Sequence, residues 1–412
     1  MFPYPNAMNL RLARYIDRWI GLGACFLLWV VGRLLGAVPP LRATTPPGDN
    51  PVRRPRRVLA IKFYGLGNIA MILPTLAAMR DGREDVEIDF LTLPGNRGLL
   101  EQSGLVSRVL TVEVDGFGSF SASVVRLLAA LRSGYHAVLD FEQFMKLSGI
   151  FSFLTGAPAR VGFNTEGQAR GWLYTHRIAY ADTDHMADIF MRLAVPFDAA
   201  VVPAPRVRIP TREEDHARLD AKLGVAAGGR RVVVHVGTGP NYDKIALKRW
   251  PAGRFAALAD HIARSRGAQV VFTGVGEEEA RLVHATIGAM QEGASAVNSC
   301  DRLSLGELTA LLEECPFVVT NDTSILHLAG LVHTPTVAFF GPTEPRLYGP
   351  RGERDLVFYE ALFCSPCLSN YNLKMSRCVN PICMQRIEED DVRAQLDAAF
   401  PPLQPAADRS ET

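Results

Sequence analysis

The sequence has almost no net charge: 44 lysines and arginines stand against 43 aspartates and glutamates in 412 residues. With no field of one sign over the whole chain, nucleic acid is excluded as an expected partner. There is no internal repeat of roughly 20–50 residues, so solenoids and propellers are set aside. The 35 glycines and 27 prolines are scattered, which removes collagen-like and low-complexity architectures. Cysteine is sparse, and the seven form an odd set. That count, and the lack of a cleavable signal with a small-residue site, argue against a secreted disulfide framework and for a reducing compartment.

Long apolar runs are nearly missing as well. The one membrane-like stretch, "WIGLGACFLLWVVG" at Trp19 to Gly32, is uncharged but shorter than the ~20 residues a spanning helix needs, unless Leu34 to Val38 extend it past Arg33. On a helix Arg11, Arg14, Arg18 and Arg33 fall within roughly 100° of one another and leave a wide apolar face. Basic residues on both sides, with "PVRRPRRV" following at Pro51 to Val58, give no inside–outside asymmetry. A helix lying in the cytoplasmic membrane interface fits this pattern best, with a spanning helix and a buried or partner-binding helix as alternatives. Residues 1–56 are therefore expected to be a membrane-associated segment and linker, the linker being the Pro- and Arg-rich stretch Pro39 to Arg57.

From Arg57 the pattern becomes strand, glycine loop, helix ("RRVLAIKF", "GLGN", "IAMILPTLAAMRD"), followed by strands in "VEIDFLTL", "VSRVLTVEV" and "HAVLDF". Short apolar runs alternating with helical periods predict a parallel sheet with helices on both faces. A proline-bearing connection, Ala199 to Asp215, interrupts the pattern, which restarts at "RRVVVHVG". Two α/β domains are expected, 57–205 and 206–400, with 401–412 a flexible tail. In such sheets ligands sit beyond the carboxyl ends of the strands.

Four stretches occupy those ends. "GLGN", with Gly65, Gly67 and Asn68, is either a bland turn or a ligand loop, and it lacks the spacing of a dinucleotide fingerprint. Gly237, Thr238 and Gly239 offer amides and a hydroxyl, with Lys248 farther along the same loop. Backbone donors plus an ammonium suit a diphosphate, although a solvated loop with a snorkelling lysine is the plainer account. Asp322, Thr323 and Ser324 open a helix at whose start an anion could rest, and His327 shares their face. Glu277, Glu278 and Glu279 begin another helix; dipole complementarity explains most of them, and one could bind ribose hydroxyls.

Together "VLAIKFYGLGNIAMILPTLAAM", "YHAVLDFEQFMKLSGIFSFLTGAPARVGF" with "LYTHRI" after it, "KRWPAGRFAALADHI" and "NDTSILHLAGLVHTPTVAFFGPTEP" resemble glycosyltransferase family 9, the bacterial lipopolysaccharide heptosyltransferases, over roughly Arg57 to Arg386. The resemblance implies the GT-B fold: two Rossmann-like domains facing across a cleft, acceptor on the first and nucleotide-sugar donor on the second. It also implies inverting transfer with no metal required. By position Lys248 looks like the family's donor-phosphate lysine, and Asp322, Thr323, Ser324 and His327 like its donor-binding turn. Glu278 looks like its ribose-binding glutamate. Ser324 replaces a usual glycine, and its N–H is expected to serve unless that residue needs φ > 0.

Asn68 is the main departure, because it occupies the place of the aspartate taken to deprotonate the acceptor. An amide cannot accept that proton at neutral pH. Glu142 in "LDFEQF" is the expected substitute; Asp140, inside the apolar run, reads as structural, and His176, His185 and Asp188 are weaker choices. The implied partners are a nucleotide-diphosphate sugar such as ADP-heptose, a lipid-linked or lipopolysaccharide acceptor, and a membrane surface. A noncatalytic nucleotide-sugar or glycan binder that has lost its base is the rival expectation.

Cys25, Cys300 and Cys315 stand apart, whereas Cys364, Cys367, Cys378 and Cys383 crowd into "CSPCLSNYNLKMSRCVNPIC". Four thiolates at these spacings can close a structural zinc site. Free or redox-active thiols and an iron–sulfur cluster are the alternatives.

Overall fold

A computed structural model of the chain describes residues 7–36, 54–83, 85–114, 116–224, 230–239, 245–372 and 374–401. Most of the expected linker Pro39 to Arg57, the middle of the donor loop at 240–244, and all of the expected tail except Pro401 lie outside the described residues. The chain divides into two compact units, one running to Ile209 and the other starting at Pro210.

The first unit holds β1 (Arg57–Ile61), α2 (Leu66–Arg80), β2 (Glu87–Thr92), α3 (Arg97–Ser103), β3 (Arg108–Thr111), α4 (Phe117–Leu131), β4 (Ala137–Asp140), α5 (Lys146–Leu154), β5 (Ala159–Asn164), β6 (His176–Ala179) and α6 (Met186–Met191). Its strands lie in the order β3-β2-β1-β4-β5-β6, every pair parallel. Strands covered on both faces must be apolar throughout. Val58, Leu59, Ala60 and Ile61 are accordingly all buried, and α2 is buried almost all round from Ile69 to Leu76.

The N-terminal helix α1 (Ala7–Leu34) belongs to this unit and packs on α5 and on the 3-10 turn Arg170–Leu173. At Gly21 the two helices approach so closely that an added Cβ would lie 3.0 Å from the Lys146 Cβ. Asp17 accepts from the backbone N–H groups of Lys146 and Leu147, both at 2.9 Å, and so caps α5 from another helix. Among the described residues no helix is long and apolar enough to cross a membrane.

The second unit repeats the plan with α7 (Glu213–Leu223), β7 (Arg231–His235), α8 (Ala252–Arg266), β8 (Gln269–Phe272), α9 (Gly276–Ala289), β9 (Val297–Asn298), α10 (Leu305–Glu314), β10 (Val318–Asn321), α11 (Ser324–Leu331), β11 (Thr336–Phe340), α12 (Pro345–Tyr348), β12 (Leu356–Tyr359), α13 (Ile382–Gln385) and α14 (Glu389–Ala399). The order β12-β11-β10-β7-β8-β9 is again wholly parallel and is the same doubly wound arrangement as the first. Trp250, stacked on Phe339 at 4.2 Å between ring centres, sits in its core and donates its indole N–H to the Ile387 carbonyl.

In each sheet the strand order reverses once, between β1 and β4 and between β7 and β10. That reversal opens a crevice at the carboxyl ends. The segments directly after those four strands carry Gly65 to Asn68, Glu142, Gly237 to Gly239, and Asp322 to Ser324.

Candidate active site

On the first unit, only Gly65 of the expected glycine loop lies between strand and helix; Gly67 and Asn68 are already in the first turn of α2. Gly65 has φ +92°, and a Cβ there would come within 2.7 Å of the Asn68 Nδ2. Both constraints call for glycine. The Asn68 amide donates to the Tyr64 carbonyl at 3.3 Å and folds back over the turn.

Glu142 is buried beside this turn. Its carboxylate accepts from the Lys62 ammonium at 3.0 Å and from the Phe63 N–H at 2.8 Å. Lys62 also donates to Gln143 at 3.1 Å. Lys62, which sequence reasoning passed over, therefore ties the end of β1 to the end of β4. Its signal was a cation directly after an unbroken apolar strand. Asp140 is fully buried, 2.7 Å from Arg170 and 2.6 Å from the Tyr174 hydroxyl that donates to it. Burial raises its carboxyl above the ordinary value, against the lowering pull of Arg170 and Tyr174. The three weaker candidates have local structural partners: His176 contacts the Thr175 hydroxyl at 2.9 Å, His185 caps α6, and Asp188 accepts from the Ala204 N–H.

On the second unit, Lys248 and Asp322 meet at 2.6 Å, and Thr343 donates its hydroxyl to the same carboxylate oxygen, also at 2.6 Å. Burial alone would raise the Asp322 carboxyl; Lys248, Thr343 and the nearby His327 outweigh it and hold the group below its ordinary value. Thr323 caps α11 by accepting from the Ile325 N–H at 3.2 Å, and Ser324 begins the helix. A cation, an imidazole and a helix N-terminus are thus gathered at one strand end, a combination suited to an anionic ligand. Asn321 braces the group, donating to the carbonyls of Val236 and Gly237 at 3.1 Å each and accepting from the Trp250 N–H.

Two of the expected donor contacts are arranged differently. The amides of Thr238 and Gly239 point at the Glu279 carboxylate, at 2.9 and 2.7 Å, so they are already engaged rather than open to a diphosphate. A Cβ on Gly237 would come within 2.1 Å of that carboxylate, which explains the glycine. Glu278, the residue expected at the ribose, is an exposed group paired with Arg249 at 2.7 Å, its side chain 62% accessible. Glu279 is the buried member and also accepts from the Val275 N–H at 2.9 Å. Periodicity could have found it, since Glu279, Val283 and Thr286 form the buried stripe of α9.

The four clustered cysteines are free thiols, and among the described residues no group of three or more His, Cys, Asp or Glu is arranged to hold a metal ion. The structure thus shows no preformed four-thiolate zinc site. They are near enough to interact, however: burial pushes the Cys383 thiol up to about 11, and charge on Cys367, Cys378 and Cys364 would add to that. The Cys367 and Leu368 N–H groups donate to the Pro342 carbonyl, next to Thr343.

The family model described as "Glycosyltransferase family 9 (heptosyltransferase)" matches residues 124–375, more than half of the chain. The chain belongs to glycosyltransferase family 9. It is accordingly a glycosyltransferase, and the resemblance read from its motifs is borne out. Lipopolysaccharide heptosyltransferase 1 of Pseudomonas aeruginosa is 22% identical over 374 residues, covering 83% of this chain and 97% of that one. Among solved structures, a glycosyl transferase family 9 protein from Veillonella parvula matches with a TM-score of 0.68 at 19% identity, over 83% of this chain and 96% of that one. The Escherichia coli ADP-heptose lps heptosyltransferase II matches with a TM-score of 0.66 at 19% identity, over 83% and 98%. These likenesses show that this family 9 chain shares their fold.

Proposed function

We propose that the protein transfers a sugar, with heptose the leading candidate, from a nucleotide-diphosphate donor to a lipopolysaccharide or other lipid-linked envelope glycan, with inversion, at the cytoplasmic face of the inner membrane. The observation that carries this reading is the group Lys248, Asp322, Thr343 and His327 beside the start of α11, at the reversal point of the second sheet. The names of the relatives, a lipopolysaccharide heptosyltransferase and an ADP-heptose lps heptosyltransferase, support the donor and acceptor classes.

In this mechanism an acceptor hydroxyl forms the new bond to the anomeric carbon while the bond from that carbon to the diphosphate oxygen breaks. Lys248 has three N–H donors, one of which is directed at Asp322, so the others can meet the leaving diphosphate. His327 and the Ser324 N–H add donors in the same place, and a fixed cation serves the role that a metal ion plays elsewhere. Glu142 is the proposed base, and to act it would have to exchange part of its bonding to Lys62 and Phe63 for the acceptor proton.

The test is incubation of the protein with ADP-heptose and other nucleotide sugars together with envelope lipid extract. Nucleoside diphosphate release that depends on the extract is expected. Tight nucleotide binding with no release under any pairing would refute transfer and favour the noncatalytic reading, for which the amide at Asn68 is the supporting observation.

A further inference from the structure

Helix α1 carries an apolar face that none of the described residues covers. Its inner side is committed to the first unit: Asp17 caps α5, Gly21 admits the close approach, Cys25 is fully buried, and Trp29 packs on Trp172 at 6.2 Å between ring centres. The opposite side points outward. Ile20, Leu27 and Leu34, seven residues apart and so on one stripe, are 66%, 62% and 82% exposed, and Trp19, Phe26 and Val31 widen that stripe. Exposed leucines scattered singly need no explanation, but a continuous stripe of this length does.

We infer that this outward face of α1 inserts into one leaflet of a lipid membrane, with the helix lying in the plane of the surface. Three observations favour lipid over other occupants. Between Trp19 and Gly36 the sole charged residue is Arg33, with no acidic group, and Arg54 stands exposed ahead of β1. That balance complements anionic headgroups. From Trp19 to Leu34, about 24 Å of helix at 1.5 Å per residue, the exposed apolar residues lie opposite the side packed on the first unit, as on an interfacial helix. Its inner side is already held by protein through a carboxylate, which a helix surrounded by lipid could not tolerate. The inference deepens the proposed function, on which it rests for its purpose: a surface-bound first unit would meet a lipid-linked acceptor without leaving the membrane.

The experiment is flotation of the full-length protein, without substrates, with vesicles of phosphatidylethanolamine and phosphatidylglycerol or of phosphatidylcholine alone. The triple variant Ile20→Asp, Leu27→Asp, Leu34→Asp changes exposed positions only and serves as the comparison, with nucleotide affinity and circular dichroism confirming that it folds. Wild-type flotation with the anionic vesicles, reduced by salt and at least about tenfold weaker in the variant, is expected. Absence of wild-type flotation, or equal flotation of the variant, would overturn the inference. So would a wild-type dimer that the variant dissolves without any lipid binding, which would give the face to a second copy. Flotation with no sugar transfer to any lipid extract would count against the proposed function alone.

Discussion

Replacing Lys248 with methionine keeps most of the stem and removes the ammonium, which leaves the Asp322 carboxylate with Thr343 and His327 as its remaining counterparts. The two side chains are 13% and 7% exposed, so the pair is largely out of water. Removing one partner of a buried pair costs about 3–5 kcal/mol. The residual exposure places this case near the lower end, about 3 kcal/mol, or roughly 6–12 °C in Tm for a unit of this size. In the native protein the Asp322 carboxyl lies below its ordinary value, so its contribution is fully present above the unfolded pKa of 3.8 and is lost as pH falls through the folded value. Without Lys248 the upward push of burial dominates, and the charged carboxylate becomes a burden at neutral pH that protonation relieves. The gap between variant and wild type should therefore be widest near pH 7 and shrink toward pH 4 in thermal unfolding. Adding Asp322→Asn should restore most of the stability by removing the stranded charge. It should not restore ADP affinity, which calorimetry should find reduced by roughly 10- to 150-fold if Lys248 donates a charge-assisted bond of ~1.5–3 kcal/mol. An unchanged Tm at pH 7 would refute the stability argument. Wild-type ADP affinity in the stable double variant would refute the donor-site assignment.

Three further outcomes follow from the same reasoning. Glu279→Gln weakens an acceptor that serves three backbone N–H groups and should cost about 2–4 kcal/mol in urea denaturation. Glu278→Gln, at an exposed pair, should stay within ~0.5 kcal/mol, and equal effects at the two sites would contradict the division of roles described above. Asp17→Ala removes the cap that α1 supplies to α5 and should cost ~0.5–2 kcal/mol, with faster amide exchange at Lys146 and Leu147. Unaltered exchange at those two amides would show that the cap does not hold the helices together.

The parts of this protein legible from sequence are those that depend on neighbours along the chain. Strands buried on both faces have to be unbroken apolar runs, so "RVLAI" and "VVVH" declare themselves, as does the helix that starts after Pro251. The motif at Asn321 to Ala329 is similarly local, because a capped helix start after a strand is written in consecutive residues. Glu279 was harder to see, since three adjacent glutamates look alike until the face of α9 that meets the sheet is known. Thr238 and Gly239 look like free amide donors for the same reason: the carboxylate that engages them lies 41 and 40 positions away.

By itself, then, the sequence determined two α/β halves, the family, and the short list of strand-end loops where chemistry could occur, because backbone periodicity and motif spacing are short-range properties. Tertiary structure decided the order of the strands, and hence which loops flank each reversal. It decided which of several similar polar groups is buried and paired: Lys248 with Asp322, Lys62 with Glu142, Glu279 with the glycine turn. It also decided that α1 spends one side on its own unit and leaves the other exposed. These are matters of burial and partnership between distant segments, and a side chain's cost or benefit there is set by what the fold brings against it.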